Sequence, residues 1–134
     1  MEIRFAKSED AAWLVRHDKH ISEEELGHAI LRNRIYIAEK DGGFAGWLRY
    51  NLFWDNIPFM NMLYVTEEDR GKGCGRKLVA FWESEMKRQG YSKVMTSTQA
   101  SEYAQHFYVR LGYEAIGGFL LGGEPYEMLF AKGI

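Results

Sequence analysis

The clearest chemistry in the chain belongs to Arg70-Gly71-Lys72-Gly73-Cys74-Gly75, followed at once by Arg76 and Lys77. Three glycines at alternate positions let a backbone turn tightly and bring its N–H groups to a ligand with no Cβ in the way. An apolar strand pattern, Phe59–Val65, precedes the run and a helical pattern follows it. Unpaired amides at a helix N-terminus therefore converge there, where the dipole favours negative charge. Four cations crowd the same end, an arrangement disfavoured by about 0.3–1 kcal/mol each. A bound polyphosphate removes that conflict. The alternative is a plain turn whose cations pair with Glu67, Glu68 and Asp69. Two other phosphate loops fail on spacing. A Walker loop needs four residues between its first glycine and Gly-Lys-Ser/Thr. A dinucleotide fingerprint needs Gly-x-Gly-x-x-Gly and an acid after the next strand, but position 76 is Arg and that strand ends Thr96-Ser97-Thr98.

The 134 residues fit a single domain, 1–134. A chain of that length hides roughly two-thirds of its unfolded surface on folding. With 46% hydrophobic and 15% aromatic residues it can fill a core and still line a pocket with rings. A net charge of −2 supplies no field for nucleic acid, so anion binding must be local. Cys74 is the only cysteine, which excludes an internal disulfide and a multi-thiolate zinc site. His17, His20, His28 and His106 lack ligand spacing, so no metal is expected. Neither a signal peptide nor an 18-residue apolar run is present, and the expected setting is cytoplasmic, away from membranes.

Several elements must position the loop. Ile3 and Phe5 alternate as a first strand, and Ser8 is placed to cap a helix reaching about Lys19. Ser22 and Glu25 form a capping-box pattern before a second helix with a Leu26, Ile30, Leu31 stripe. Segments 35–39 and 44–52 flank Asp41-Gly42-Gly43 as a hairpin. After a break at residues 55–58 come the strand Phe59–Val65, the loop, and a helix from 75 to 89 burying Leu78, Val79, Trp82 and Met86. A strand at 93–98, a helix over 102–111 and strands at 113–121 and 126–131 complete a mixed α/β order, a sheet covered by helices on both faces.

Leu63-Tyr64-Val65 followed by the glycine loop resembles the acetyl-CoA signature Arg/Gln-x-x-Gly-x-Gly/Ala of the GNAT superfamily of N-acetyltransferases. Ala104-Gln105-His106-Phe107-Tyr108 with Leu111-Gly112-Tyr113 resembles the family's Ala-x-x-x-Tyr-x-x-x-Gly-Phe helix. The resemblance implies a mostly antiparallel sheet in which two parallel strands, 59–65 and 93–98, splay to admit pantetheine. It implies that the main chain of Leu63, Tyr64 and Val65 pairs with the cofactor arm and that the amides of residues 71 to 76 hold the pyrophosphate. Arg70, Gly71, Lys72, Gly73, Cys74, Gly75 and Arg76 then form the cofactor loop. The Val65 N–H would serve the thioester carbonyl, and Tyr108 would act as general acid toward the leaving thiolate. From spacing alone Tyr108 reads equally as core. Ser101 stands where the family often has Asn, with Gln99 and Gln105 as polar neighbours. Cys74 fills a position usually held by a small inward-packing side chain and is expected to be structural.

The acceptor side is less defined. The aromatic stretch Trp47–Trp54 suggests pocket walls, with Tyr50 and Trp54 as candidates, although each ring also reads as core or as a homodimer contact. Asn61 stands where related enzymes sometimes place a carboxylate and cannot serve as a base. Glu102, Glu124 and Glu127 are candidate bases by type only. The expected reaction is acetyl transfer from acetyl-CoA to the primary amine of a small molecule or peptide. The competing readings are a non-catalytic acyl-CoA-binding module and a nucleic-acid-associated protein using residues 70–77.

Overall fold

The computed structural model describes residues 1–134. Seven strands form one sheet: β1 (Glu2–Phe5), β2 (Ile35–Lys40), β3 (Gly43–Phe53), β4 (Ile57–Val65), β5 (Lys93–Gln99), β6 (Glu114–Phe119) and β7 (Glu127–Gly133). They lie in the order β1-β2-β3-β4-β5-β7-β6. β4 and β5 pair in parallel, whereas β1–β2, β2–β3, β5–β7 and β6–β7 are antiparallel. Four helices accompany them: α1 (Ala11–His17), α2 (Glu23–Leu31), α3 (Cys74–Arg88) and α4 (Ala104–Arg110). The mixed sheet with one parallel pair agrees with the order read from the sequence. No helix is long and apolar enough to cross a membrane.

The chain divides into two compact units, Met1–Asn51 with Met62–Trp82 and Leu52–Asn61 with Glu83–Ile134. In the first, Leu14, Leu26, Ile30, Ile35, Ile37 and Trp47 form the core. The β2–β3 connection is a two-residue turn, Asp41-Gly42, both at positive φ as a tight hairpin requires. α1 is shorter than the sequence suggests, and Ser8 does not cap it. A 3-10 turn occupies Ser8–Asp10 because the Asp10 carboxylate is drawn to the Arg4 guanidinium (2.8 and 3.0 Å) and the Lys7 N–H (2.7 Å). Those bonds hold the Asp10 carboxyl below the usual carboxylate range despite its burial.

α1 stops at His17 rather than Lys19 for a related reason. Asp18 adopts extended backbone, and its carboxylate is 2% exposed. It accepts from Arg49 Nε at 3.0 Å, Trp47 Nε1 at 3.3 Å and the His20 N–H at 3.1 Å. Ser22 does cap α2, accepting from the Glu25 N–H at 3.2 Å. The α2 stripe closes at Ile30; Leu31 lies around the helix and is exposed.

In the second unit, Tyr113 donates to Glu83 at 2.8 Å and Lys132 to the other oxygen of that carboxylate at 2.9 Å. α4 ends at Arg110, and Gly112 beyond it turns the chain at φ +94°, with the Tyr113 N–H bonding the Tyr108 carbonyl and the Gly112 N–H that of Val109. β6 is the last strand of the sheet, and a bulge at Ile116 interrupts its pairing with β7 between Ala115 and Gly117.

Candidate functional site

β4 ends at Val65, and the next eight residues turn the chain into α3. Thr66 donates from Oγ1 to Asp69 at 2.6 Å, closing a 3-10 turn over Glu67–Asp69. This bond, with Lys40 at 3.5 Å, holds the Asp69 carboxyl below its ordinary range. Asp69 is thus engaged by Thr66 and Lys40. Arg70 turns back instead: its Nε donates to the Val65 carbonyl at 2.9 Å, and its guanidinium lies 5.3 Å from the Tyr64 ring centroid. The family-signature arginine therefore ties the last carbonyl of β4 to the start of the loop.

Gly71 and Gly73 have φ of +76° and +85°, and a Cβ at either would meet nothing within 4 Å. They are there for the left-handed backbone, which other L-residues adopt at a cost of about 1–2 kcal/mol, and not for internal packing. The first helical bond runs from the Lys77 N–H to the Gly73 carbonyl at 3.1 Å. The arrangement is a helix N-terminus approached by positive-φ turns and ringed by Arg70, Lys72, Arg76 and Lys77, which can hold an anion of high charge. Cys74 packs inward and is buried. Burial, with Asp69 adding, pushes its thiol up, so it holds its proton at neutral pH and is poorly suited to nucleophilic attack.

Gly46, which carried no signal of chemistry in the sequence, lies close against the end of β4. A Cβ at this position would stand 2.4 Å from the Tyr64 carbonyl oxygen and 3.3 Å from Val65 Cα. One residue earlier, a bulge in the β2–β3 register leaves Ala45 extra, and its carbonyl accepts from the Thr66 N–H at 2.8 Å. Leu63-Tyr64-Val65 is thereby set between Gly46 and the Arg70 bond. An isolated glycine inside a strand is a mark of close backbone approach, and that was the available signal.

Within the other unit, Tyr108 is 7% exposed on α4. Its ring meets Tyr113 edge-on at 5.8 Å and Phe130 at 6.1 Å. Burial pushes its phenol up to about 12, a hydrogen bond with Thr96 pulls the other way, and the Glu102 carboxylate adds a smaller upward push. Apolar surroundings thus keep the phenol protonated throughout the physiological range. Gln105 donates to the Ala100 and Glu102 carbonyls at 2.7 and 3.2 Å, closing the turn that contains the exposed Ser101.

The aromatic candidates separate. Tyr50 is buried beside Tyr36 (6.1 Å) and Trp82 (5.9 Å). Trp54 is 79% exposed in the turn before β4, at φ +55°. Trp54 precedes the first residue of β4, whereas Val65 is its last. Asn61 is exposed on β4 between them.

Residues 31–115 match the family model described as an acetyltransferase (GNAT) domain. The D-amino-acid N-acetyltransferase HPA3 of Saccharomyces cerevisiae is 37% identical over 75 residues, 54% of this chain and 47% of that protein. The match therefore spans about half the length of that relative. Among solved structures, Ard1 from Thermoplasma volcanium superposes with a TM-score of 0.86 at 13% identity, over 99% of this chain and 97% of that one. An aminoglycoside 6'-N-acetyltransferase complexed with coenzyme A gives 0.80 at 15% identity, over 99% and 97%. Such identities speak for the fold, and the family model, which covers more than half of the residues, settles membership: the chain belongs to the GNAT family of acetyltransferases.

Proposed function

We propose that residues 1–134 act as one acetyl-CoA-dependent N-acetyltransferase domain whose acceptor is a primary amine. The observation that carries this reading is the loop, where left-handed glycines 71 and 73 open a 15-residue helix amid four cations. The amides of residues 71 to 76 bind the pyrophosphate, and Arg70, Lys72 and Arg76 supply the counter-charge. The main chain of Leu63, Tyr64 and Val65 hydrogen-bonds the pantetheine arm, and Ser101 adds a polar contact. The solved relative with coenzyme A makes this cofactor chemistry the natural one.

The Val65 N–H donates to the thioester carbonyl and stabilises the oxyanion that forms when the amine attacks. Tyr108 then gives its proton to the departing sulfur. The buried, protonated Cys74 takes no covalent part. Asn61 faces the acceptor side as a polar contact; Tyr50 supports β3 from within the core, and Trp54, at the far end of β4, takes no part. The acceptor is a small molecule or a peptide amine, a class to which the named substrates of the relatives conform.

Thiol release measured over a broad amine panel tests the reading. Acetyl-CoA consumption should depend on the amine, whereas slow hydrolysis indifferent to every amine would point to a binding module. Tyr108→Phe should lower kcat about 100-fold or more with little change in KM for acetyl-CoA. Because the phenol is raised to about 12, its deprotonation produces no alkaline fall in rate below about pH 11. Any ionisation seen between pH 6 and 9 belongs to another group and should persist in the phenylalanine variant.

A further inference from the structure

Three side chains beside α4 form a cluster that the reaction itself does not use. Tyr113 is 2% exposed and donates from its phenol to Glu83 Oε2 at 2.8 Å. Lys132 donates to Oε1 of the same carboxylate at 2.9 Å. The three come from separate elements: Glu83 from α3, Tyr113 from the turn after α4, and Lys132 from β7. The Lys132 ammonium also lies 5.6 Å from the Tyr113 ring centroid, and its stem passes Gly112, where a Cβ would stand 3.5 Å from Cε. A hydrogen bond to an ionised acceptor is about twice as strong as a neutral one, so the tip of Tyr113 is firmly held. Burial and the Glu83 charge push its phenol up, so Tyr113 stays the donor.

Tyr113 bears on Tyr108 in two ways. Its N–H bonds the Tyr108 carbonyl at 3.0 Å, and its ring meets the Tyr108 ring edge-on at 5.8 Å. α4 has seven residues, too few to hold its own shape through helix formation alone. The direction of the Tyr108 side chain therefore depends on the rings it meets beyond its own helix, those of Tyr113 and Phe130.

We propose that Tyr113, anchored by Glu83 and Lys132, is a positioning residue for Tyr108: the phenol–carboxylate bond fixes the ring on which the acid rests. The inference rests on the acid role given to Tyr108 above. Proton transfer to the leaving sulfur needs the Tyr108 oxygen within hydrogen-bond reach of it, and a misplacement of about 1 Å costs about 100-fold. Without the Glu83 bond, packing alone holds the Tyr113 ring, and the Tyr108 ring follows when it tilts. Tyr113 exchanges no proton in the reaction, because its own is directed at Glu83.

The test compares Tyr113→Phe, Glu83→Ala, their double variant, Tyr108→Phe and Tyr113→Phe/Tyr108→Phe, with Lys132→Met in reserve should loss of the carboxylate disturb folding. Phenylalanine keeps the ring and removes only the anchored hydroxyl. Tyr113→Phe should lower kcat about tenfold and leave KM for acetyl-CoA within about twofold, a smaller loss than removal of the acid. Glu83→Ala should lose about as much, and the Tyr113→Phe/Glu83→Ala pair no more than either alone. In the Tyr108→Phe background, Tyr113→Phe should cost less than about twofold. In protein labelled with 3-fluorotyrosine, the fluorine resonance missing from Tyr108→Phe should shift in both Tyr113→Phe and Glu83→Ala. Equal fold losses in both Tyr108 backgrounds, or an unmoved resonance, would overturn the proposal. If Tyr108→Phe is slow and Tyr113→Phe is not, the acid reading stands and the positioning role alone falls. If Tyr108→Phe keeps full activity, the acid reading falls and takes this proposal with it.

Discussion

Asp18→Ala should destabilise the protein by about 3–5 kcal/mol, the usual cost of removing one partner from a buried ion pair. The carboxylate is 2% exposed and Arg49 6%, and the acid is also the acceptor for the Trp47 indole and the His20 amide. Alanine leaves a guanidinium in the core with no counter-charge, and a buried donor on Trp47 without its acceptor. A domain of this size is stable by only about 5–15 kcal/mol, so the loss is a large share of the total. With a urea m-value of about 2 kcal/mol/M, the unfolding midpoint should fall by about 2 M. Asp18→Leu combined with Arg49→Met should recover much of this, because an apolar replacement of both partners leaves no orphaned charge. A shift of less than about 0.5 M in Asp18→Ala would mean that Arg49 finds water or another acceptor.

Gly46→Ala should lower kcat about 100-fold while the protein remains folded, since misplacing a catalytic group by about 1 Å costs that much. The added Cβ would stand 2.4 Å from the Tyr64 carbonyl oxygen, and backbone cannot swing aside as a flexible side chain does. Leu78 Cδ1, at 3.4 Å, closes the other direction. β4 must therefore move at Tyr64 and Val65, where the reading above puts the donor to the thioester carbonyl. The same strand end is tied by Arg70 to Val65 and by Thr66 to Ala45, so the strain is not relieved at the terminus. Steady-state rates beside thermal unfolding separate the two effects. A folded Gly46→Ala with kcat within threefold of the parent would remove the Val65 amide from the mechanism.

The geometry of the loop was legible because glycine spacing, a preceding strand and a following helix are all local. The element order was legible too, since periodicity and turn residues act over a few positions. Asp18 and Arg49 were not. They lie 31 residues apart, charged residues are ordinarily solvated, and only the register of β3 against the chain leaving α1 brings them together. Their meeting also explains why α1 ends two residues early. Leu31 failed for a simpler reason: an apolar residue one step beyond i, i+4 falls about 100° around the helix. Tyr108 was readable as a buried position on an apolar helix stripe, and it is buried against Tyr113 and Phe130. Gly46 had one, a glycine within an apolar strand, but nothing local to it told which backbone would approach.

The bulge at Ile116 bears on whether another strand can add to this edge of the sheet. Residues 115–123 contain no charge and no proline, and the edge strand carries the exposed side chains of Ile116 and Phe119. A regular edge of that composition is a template on which another chain can add a strand. The extra residue puts the outward N–H and C=O groups out of step and bends the strand locally. Deleting Ile116 should restore a regular ladder with β7 and, with it, concentration-dependent association visible by light scattering. A deletion variant that stays monomeric at high concentration would assign that protection elsewhere. The edge is apolar in composition and irregular in geometry, and one residue beyond what β7 can pair makes the difference.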